Sequence, residues 1–190
     1  MDGPILIAQI AGWKSVFGRI KTEMKAYKLK TIERENGIML LNGEPVTDQE
    51  ILRDYGRITI RRNDFVVKID NRFCDDDDVL YSQSRYESKI YKTIHKADKP
   101  YFVKLAASGM VWDADRKVFR PWVSQEFLEL SHTVRGLTEE KKEIQRIAMK
   151  YKLHKDVTGA YTHSGTSFNW AINKATNKPV IYDYGYPALV

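Results

Sequence analysis

Tyr161-Thr-His-Ser-Gly-Thr-Ser-Phe-Asn-Trp-Ala-Ile-Asn-Lys-Ala-Thr-Asn-Lys-Pro-Val-Ile-Tyr-Asp-Tyr-Gly185 is the stretch around which the chain is organised. Two short apolar runs, Phe168 to Ile172 and Val180 to Tyr182, flank a polar turn carrying Asn173, Asn177 and Pro179. That pattern predicts a β-hairpin. It begins near Asn169 and ends on Asp183, so an amide and a carboxylate can converge on one hard cation such as Mg²⁺, with substrate phosphates filling the remaining positions. Gly185, two residues further on, is expected to let the backbone turn sharply.

Composition bounds the rest. A chain of 190 residues is long enough for one domain, or one small two-lobed unit, with a core of its own. Its 43% hydrophobic and 29% charged content is that of an ordinary globular protein. No apolar run approaches membrane-spanning length, and Pro4-Ile-Leu-Ile-Ala-Gln-Ile10 lacks a basic leader and is short for a signal peptide. A cytoplasmic location with no membrane partner is therefore expected. The single cysteine, Cys74, excludes an intrachain disulfide and a Cys-based zinc site. The net charge of +6 and pI near 9.2 suit an anionic partner, either nucleotide phosphates or nucleic acid, and equally a solvated basic surface.

Outward from that stretch, residues 11–27 place Trp13, Val16, Phe17, Ile20, Met24 and Tyr27 at helical spacing, an amphipathic helix with a basic outer face. Asn36-Gly37 and Asn42-Gly43 predict tight turns and a hairpin over residues 28–46. Thr47-Asp-Gln-Glu50 has capping-box spacing and predicts a short helix ending near Gly56. Strands follow from Arg57 to Asp70 across an Arg62-Asn63-Asp64 turn. Lys68 lies inside the second of them, either as an edge-strand guard against aggregation or as a functional cation. Asp75 to Asp78 form an acidic run, a solvated loop or a weak Ca²⁺ site. A helix is expected from Ser82 to His95 with Tyr86, Ile90, Tyr91 and Ile94 as its apolar face. Glu87 points at or beside that face, where an unpaired carboxylate is costly, and Lys68 is its obvious partner. Pro100 to Leu105 reads as a strand, and Met110 to Trp112 with Val118 to Leu130 as a hairpin across Asp113 to Arg116. A helix from Thr138 through Lys152 carries Ile144, Ile147, Ala148 and Tyr151 as its inner stripe.

In this order the parts resemble the protein-kinase-like fold over about residues 55–186. The family uses a strand lysine, a helix glutamate, a catalytic-loop Asn and the Asp of an Asp-Phe-Gly motif. Here the last would be Asp183-Tyr184-Gly185, and Glu87 follows Lys68 by nineteen residues, as in kinases. The resemblance implies an α+β fold, an antiparallel kinase-like N-lobe with its helix over residues 55–131, preceded by an extension at 1–54 and followed by a reduced C-lobe at 132–190. It implies Mg-ATP as cofactor, with Lys68 and Glu87 at the phosphates, backbone groups of about Glu126 and Leu128 at the adenine, and Asn169 and Asp183 on the metal. The chain also departs from the family. No Gly-x-Gly-x-x-Gly occurs. Ser164, after His163, stands where the catalytic Asp should lie, five residues before Asn169. His154-Lys155-Asp156 reads like His-Arg-Asp but lies further from Asn169, so Asp156, His163 and Ser164 are the candidates for handling the acceptor proton. The sequence ends just after Asp-Tyr-Gly, so a minimal or atypical member is expected.

Three functions follow from these features. The first is a kinase-like phosphotransferase using Mg-ATP; the second is a pseudokinase-like protein that inhibits or scaffolds a protein partner, such as a viral or mobile genome encodes. The third is a basic nucleic-acid-binding protein using Lys, Arg and Tyr for phosphate contacts and stacking.

Overall fold

Alternation decides which face of each strand enters the core. The computed structural model describes residues 27–71, 82–132, 138–153, 157, 160–162, 165–167 and 169–185. The helix expected at 11–27, save its last residue, the acidic run at 75–78, and Asp156, His163 and Ser164 lie outside the described residues. The first half builds strands β1 (Thr31–Glu35), β2 (Ile38–Leu41), β3 (Glu44–Pro45), β4 (Ile51–Tyr55), β5 (Arg57–Arg62) and β6 (Phe65–Asp70). Helix α1 (Gln83–Thr93), a 3₁₀ turn at Lys99–Tyr101, and the hairpin of β7 (Leu105–Asp113) and β8 (Val118–Glu126) follow. Beyond them lie β9 (Leu130–Ser131), α2 (Thr138–Lys150), a small ladder of β10 (Ala160–Thr162) with β11 (Gly165–Ser167), and the hairpin of β12 (Trp170–Asn173) and β13 (Lys178–Ile181). The class is α+β.

Eight strands form one sheet in the order β3-β2-β1-β7-β8-β6-β5-β4, antiparallel except where β1 meets β7 at Thr31–Trp112 and Ile32–Asp113. The sheet curls. Arg62 in β5 donates to the carbonyls of Pro45 (2.7 Å) and Glu44 (3.3 Å) in β3, which draws the two ends together. Inside the curl Ile32, Met39, Leu41, Ile58, Ile60, Val67, Ile69, Val111 and Trp122 make one core. Because side chains alternate along a strand, Lys68 and Asp70 of β6 face the opposite side, where α1 packs.

The expected hairpin over 28–46 forms, with Asn36, Gly37, Asn42 and Gly43 all at positive φ. The helix expected after Thr47 does not. Glu50 still closes on the Thr47 N–H at 2.8 Å, but only one turn forms before Ile51 pairs with Ile60 in the sheet. Strand pairing of β4 with β5 overrides a local helix start worth about 1 kcal/mol. The strand expected over Pro100 to Leu105 does not form. Pro100 lacks a donor and sits at the start of the 3₁₀ turn, Phe102 bridges Ile181, and β7 begins at Leu105.

A second core joins α2 to the terminal hairpin. Ile144, Ile147 and Ala148, spaced i, i+3, i+4, pack among Ile94, Phe102, Trp170, Ile172, Ile181 and Tyr184. Asp98 pins the end of α2 to the turn after α1, accepting from Lys150 Nζ (2.6 Å) and the Tyr151 hydroxyl (2.7 Å). Among the described residues no helix is long and apolar enough to cross a membrane.

Candidate functional site

Four charged side chains from distant parts of the chain meet beneath α1. Ser82 caps this helix by accepting from the Arg85 N–H (3.2 Å), and Asp70 fixes the same end by accepting from the hydroxyls of Ser82 (2.6 Å) and Ser84 (2.5 Å). The face so presented to the sheet is polar at its centre. Ser84, Glu87 and Ser88 are its buried residues; of the expected apolar face Tyr86, Ile90, Tyr91 and Ile94, Ile94 at the helix end is buried in the second core and Ile90 and Tyr91 pack against that core half-buried, as Tyr86 is half-buried.

Glu87 is fully buried and takes three donors. Lys68 Nζ lies 2.9 Å from Oε1, Arg57 Nη1 lies 2.6 Å from Oε2, and Gln125 Nε2 donates to Oε1 at 3.2 Å. The three donors come from adjacent strands β6, β5 and β8. Lys68 is thus an interior residue on a central strand, not an edge guard. Its ammonium also donates to the Tyr182 carbonyl at 2.7 Å, which ties β6 to the segment leaving β13.

Arg57 completes the cluster. Its Nη2 holds Asp183 Oδ1 at 2.6 Å, so one planar guanidinium bridges a helix carboxylate and the carboxylate after the terminal hairpin. Two cations face two carboxylates. Burial pushes the Asp183 carboxyl up, but Arg57, Lys68 and the Gly185 backbone N–H outweigh it and hold it below the ordinary value. Burial works against the Arg57 charge too, and Glu87 and Asp183 overcome it, so the guanidinium is held cationic more firmly than usual. The neighbouring Tyr182 hydroxyl is pushed up to about 12, first by burial and then by the Asp183 charge.

Asn169 stands at the mouth of the β12–β13 hairpin, its carbonyl accepting from the N–H groups of Tyr182 (3.0 Å) and Asp183 (3.5 Å). The hairpin therefore sets Asn169 and Asp183 side by side on the backbone. Glu126 ends β8 with its N–H given to the Lys104 carbonyl (2.9 Å), and Leu128 follows; both line a cavity with Lys104 and Lys178 that none of the four charged residues lines. Compared with known proteins, the chain matches no family model and no curated sequence. Its geometry therefore carries the functional argument alone.

The sequence pointed to Lys68, Glu87, Asn169 and Asp183 but not to Arg57 or Gln125. A signal for Arg57 existed. It alternates with Ile58 and Ile60, so if those enter the core Arg57 must face the side that Lys68 faces. Gly185 serves a different purpose from the turn expected of it. A Cβ there would lie 2.9 Å from Gln83 Cβ and 3.0 Å from the Gln83 carbonyl, so the glycine permits close approach of the Asp183-Tyr184-Gly185 segment to the first turn of α1. Gly185→Ala is expected to cost about 1–3 kcal/mol in a urea melt, because backbone must shift to admit the methyl. An unchanged midpoint would contradict this contact.

Proposed function

We propose that the protein is an atypical kinase-like phosphotransferase of the cytoplasm that binds Mg-ATP. The observation behind this reading is the buried Lys68–Glu87 pair at 2.9 Å, with Asp183 joined to it through Arg57. A strand lysine held by a helix glutamate, beside a carboxylate on a hairpin, is the arrangement that positions phosphates for transfer in that fold. In kind, the Asp183 carboxylate and the Asn169 amide are hard oxygen donors that fit Mg²⁺, with nucleotide oxygens completing the shell. Arg57 holds Asp183 Oδ1 and the Gly185 N–H also donates to the carboxylate, so a metal would share it with both. When bound, Mg²⁺ supplies neutralisation of phosphate charge. Lys68 would orient the phosphates, Glu87 hold Lys68, and Arg57 add a second fixed cation. Among the three proton-handling candidates, Asp156 and His163 carry groups that can accept the acceptor's proton, and Ser164 does not.

One observation favours a second reading, a pseudokinase-like protein acting through a protein partner. The four charges already balance one another without any ligand, so the cluster also serves as a structural lock.

Calorimetric titration of ATP with and without Mg²⁺, repeated on Asp183→Ala and Lys68→Ala, tests the proposal. The expected result is Mg²⁺-dependent binding that both substitutions weaken at least about tenfold, corresponding to about 1.4 kcal/mol. Transfer of a labelled γ-phosphate by the intact protein then separates the two readings. Absence of ATP binding by folded wild-type protein would overturn the nucleotide site.

A further inference from the structure

A cavity of about 510 Å³ lies where the turn after α1, the start of β7, the end of β8 and the β12–β13 turn meet. None of Arg57, Lys68, Glu87 or Asp183 lines it. Its walls are held by backbone hydrogen bonds between the segments. Val103 N–H donates to the Ile181 carbonyl (2.9 Å), Glu126 N–H to that of Lys104 (2.9 Å), and Lys174 N–H to that of Glu129 (3.0 Å).

Four lysines line the cavity, two from the turn after α1 (Lys96 and Lys99), Lys104 ahead of β7 and Lys178 at the start of β13. Among the described residues the one carboxylate in the lining belongs to Glu126. Three exposed cations of α2 find partners, Lys142 with Glu139, Arg146 with Glu143 and Lys150 with Asp98. Here, among the described residues, none of the four forms an ion pair; Lys99 only covers the face of Tyr91, 4.8 Å from the ring centre. Four lysines set against a single carboxylate repel one another, and an anionic ligand would relieve that repulsion. The remaining polar lining is also rich in donors. Asn173 spends its side-chain oxygen on the Ala175 N–H (2.9 Å), which leaves its NH₂ to donate, and the Thr176 hydroxyl stands beside it. Pro100 and Leu128 supply an apolar wall, and Glu126 the one strong acceptor.

We infer that this cavity binds a small organic polyphosphate. The lysines and Asn173 take phosphate oxygens, the apolar wall takes the carbon skeleton, and Glu126 accepts from a hydroxyl or amino group on it. The site is independent of the cluster beneath α1.

The test is calorimetric titration of the full chain with sodium tripolyphosphate in metal-free, low-salt buffer. Wild type is compared with the double variant Lys104→Ala/Lys178→Ala and with Lys142→Ala as a control on an exposed helix. Expected are saturable binding that weakens with added salt, a loss of about tenfold or more in the double variant, and unchanged binding in the control. All the cavity lysines are exposed, so these substitutions leave folding intact. Absence of saturable binding, or binding that survives the double substitution, overturns the site. Tighter binding of a single-stranded oligothymidylate with the same lysine dependence would assign the face to nucleic acid instead.

Discussion

Glu87→Ala is expected to destabilise the protein by about 3–5 kcal/mol, read as a fall in the urea midpoint at neutral pH. The carboxylate is fully buried and receives Lys68, Arg57 and Gln125 at 2.9, 2.6 and 3.2 Å. Its removal leaves two cations and an amide inside the protein with one carboxylate, Asp183, to share, and water has little access to make up the loss. The truncation also leaves a cavity at the centre of the α1 face, which adds to the penalty. Glu87→Gln keeps the volume and one acceptor oxygen while removing the charge, so it should cost less than the alanine but still exceed the effect of an ordinary surface change. A shift under about 1 kcal/mol for the alanine would mean that the two cations reach solvent when the carboxylate is gone, and the cluster would then be a surface feature.

How far the sequence foretells this arrangement depends on the range of the forces involved. The Asn-Gly turns at residues 36–37 and 42–43 were legible because a positive φ is a local demand that these residue types meet. The hairpin from Trp170 to Ile181 was legible for a similar reason, a polar turn between two apolar runs. The helix expected after Thr47 misled because its capping hydrogen bond is real and forms, while the decision between helix and strand was made by pairing with Ile60 nine residues beyond Ile51. On α1 the sequence pattern picked out Tyr86, Ile90, Tyr91 and Ile94, of which Ile94 is buried in the second core and Ile90 and Tyr91 pack against it, but the sheet beneath offers Lys68 and Arg57, so the stripe facing the sheet runs through Ser84, Glu87 and Ser88. Lys68 and Glu87 could be paired in advance because a buried carboxylate needs a cation and one interior strand lysine lay nearby in sequence. Arg57 could not be assigned to Asp183 that way. The two stand 126 residues apart, and only the closing of the terminal hairpin against the sheet brings them within 2.6 Å.

Arg57→Met tests what that closing contact does. Methionine fills most of the arginine's volume without its charge, and the variant is expected to lose about 3 kcal/mol at neutral pH, because Asp183 is left mostly buried without its nearest cation. The pH dependence carries the sharper information. In the wild-type protein the Asp183 carboxyl is held below its ordinary value of about 3.9, so its stabilising contribution is present above that pH and is lost as pH falls through the lowered folded value. Without Arg57, burial acts against the charge with only Lys68 and the Gly185 N–H to oppose it, and the carboxyl rises relative to wild type. The stability gap between the two proteins should therefore be widest near neutrality and narrow as the solution is acidified. Adding Asp183→Asn to Arg57→Met should recover part of the loss, since it removes the stranded charge, and the double-variant cycle would return a coupling of the two side chains. A gap that stays constant with pH would mean that Arg57 contributes by packing alone. The same variant bears on nucleotide binding. If Asp183 receives Mg²⁺, removing the guanidinium that shares its carboxylate frees Oδ1, and Mg²⁺ should then be needed more strongly for ATP to bind. If Arg57 itself takes the place of a metal, ATP binding should instead collapse in the variant whatever the Mg²⁺ concentration. Arg57→Lys cannot imitate either role, because one ammonium group lacks the fork that spans Glu87 and Asp183 together.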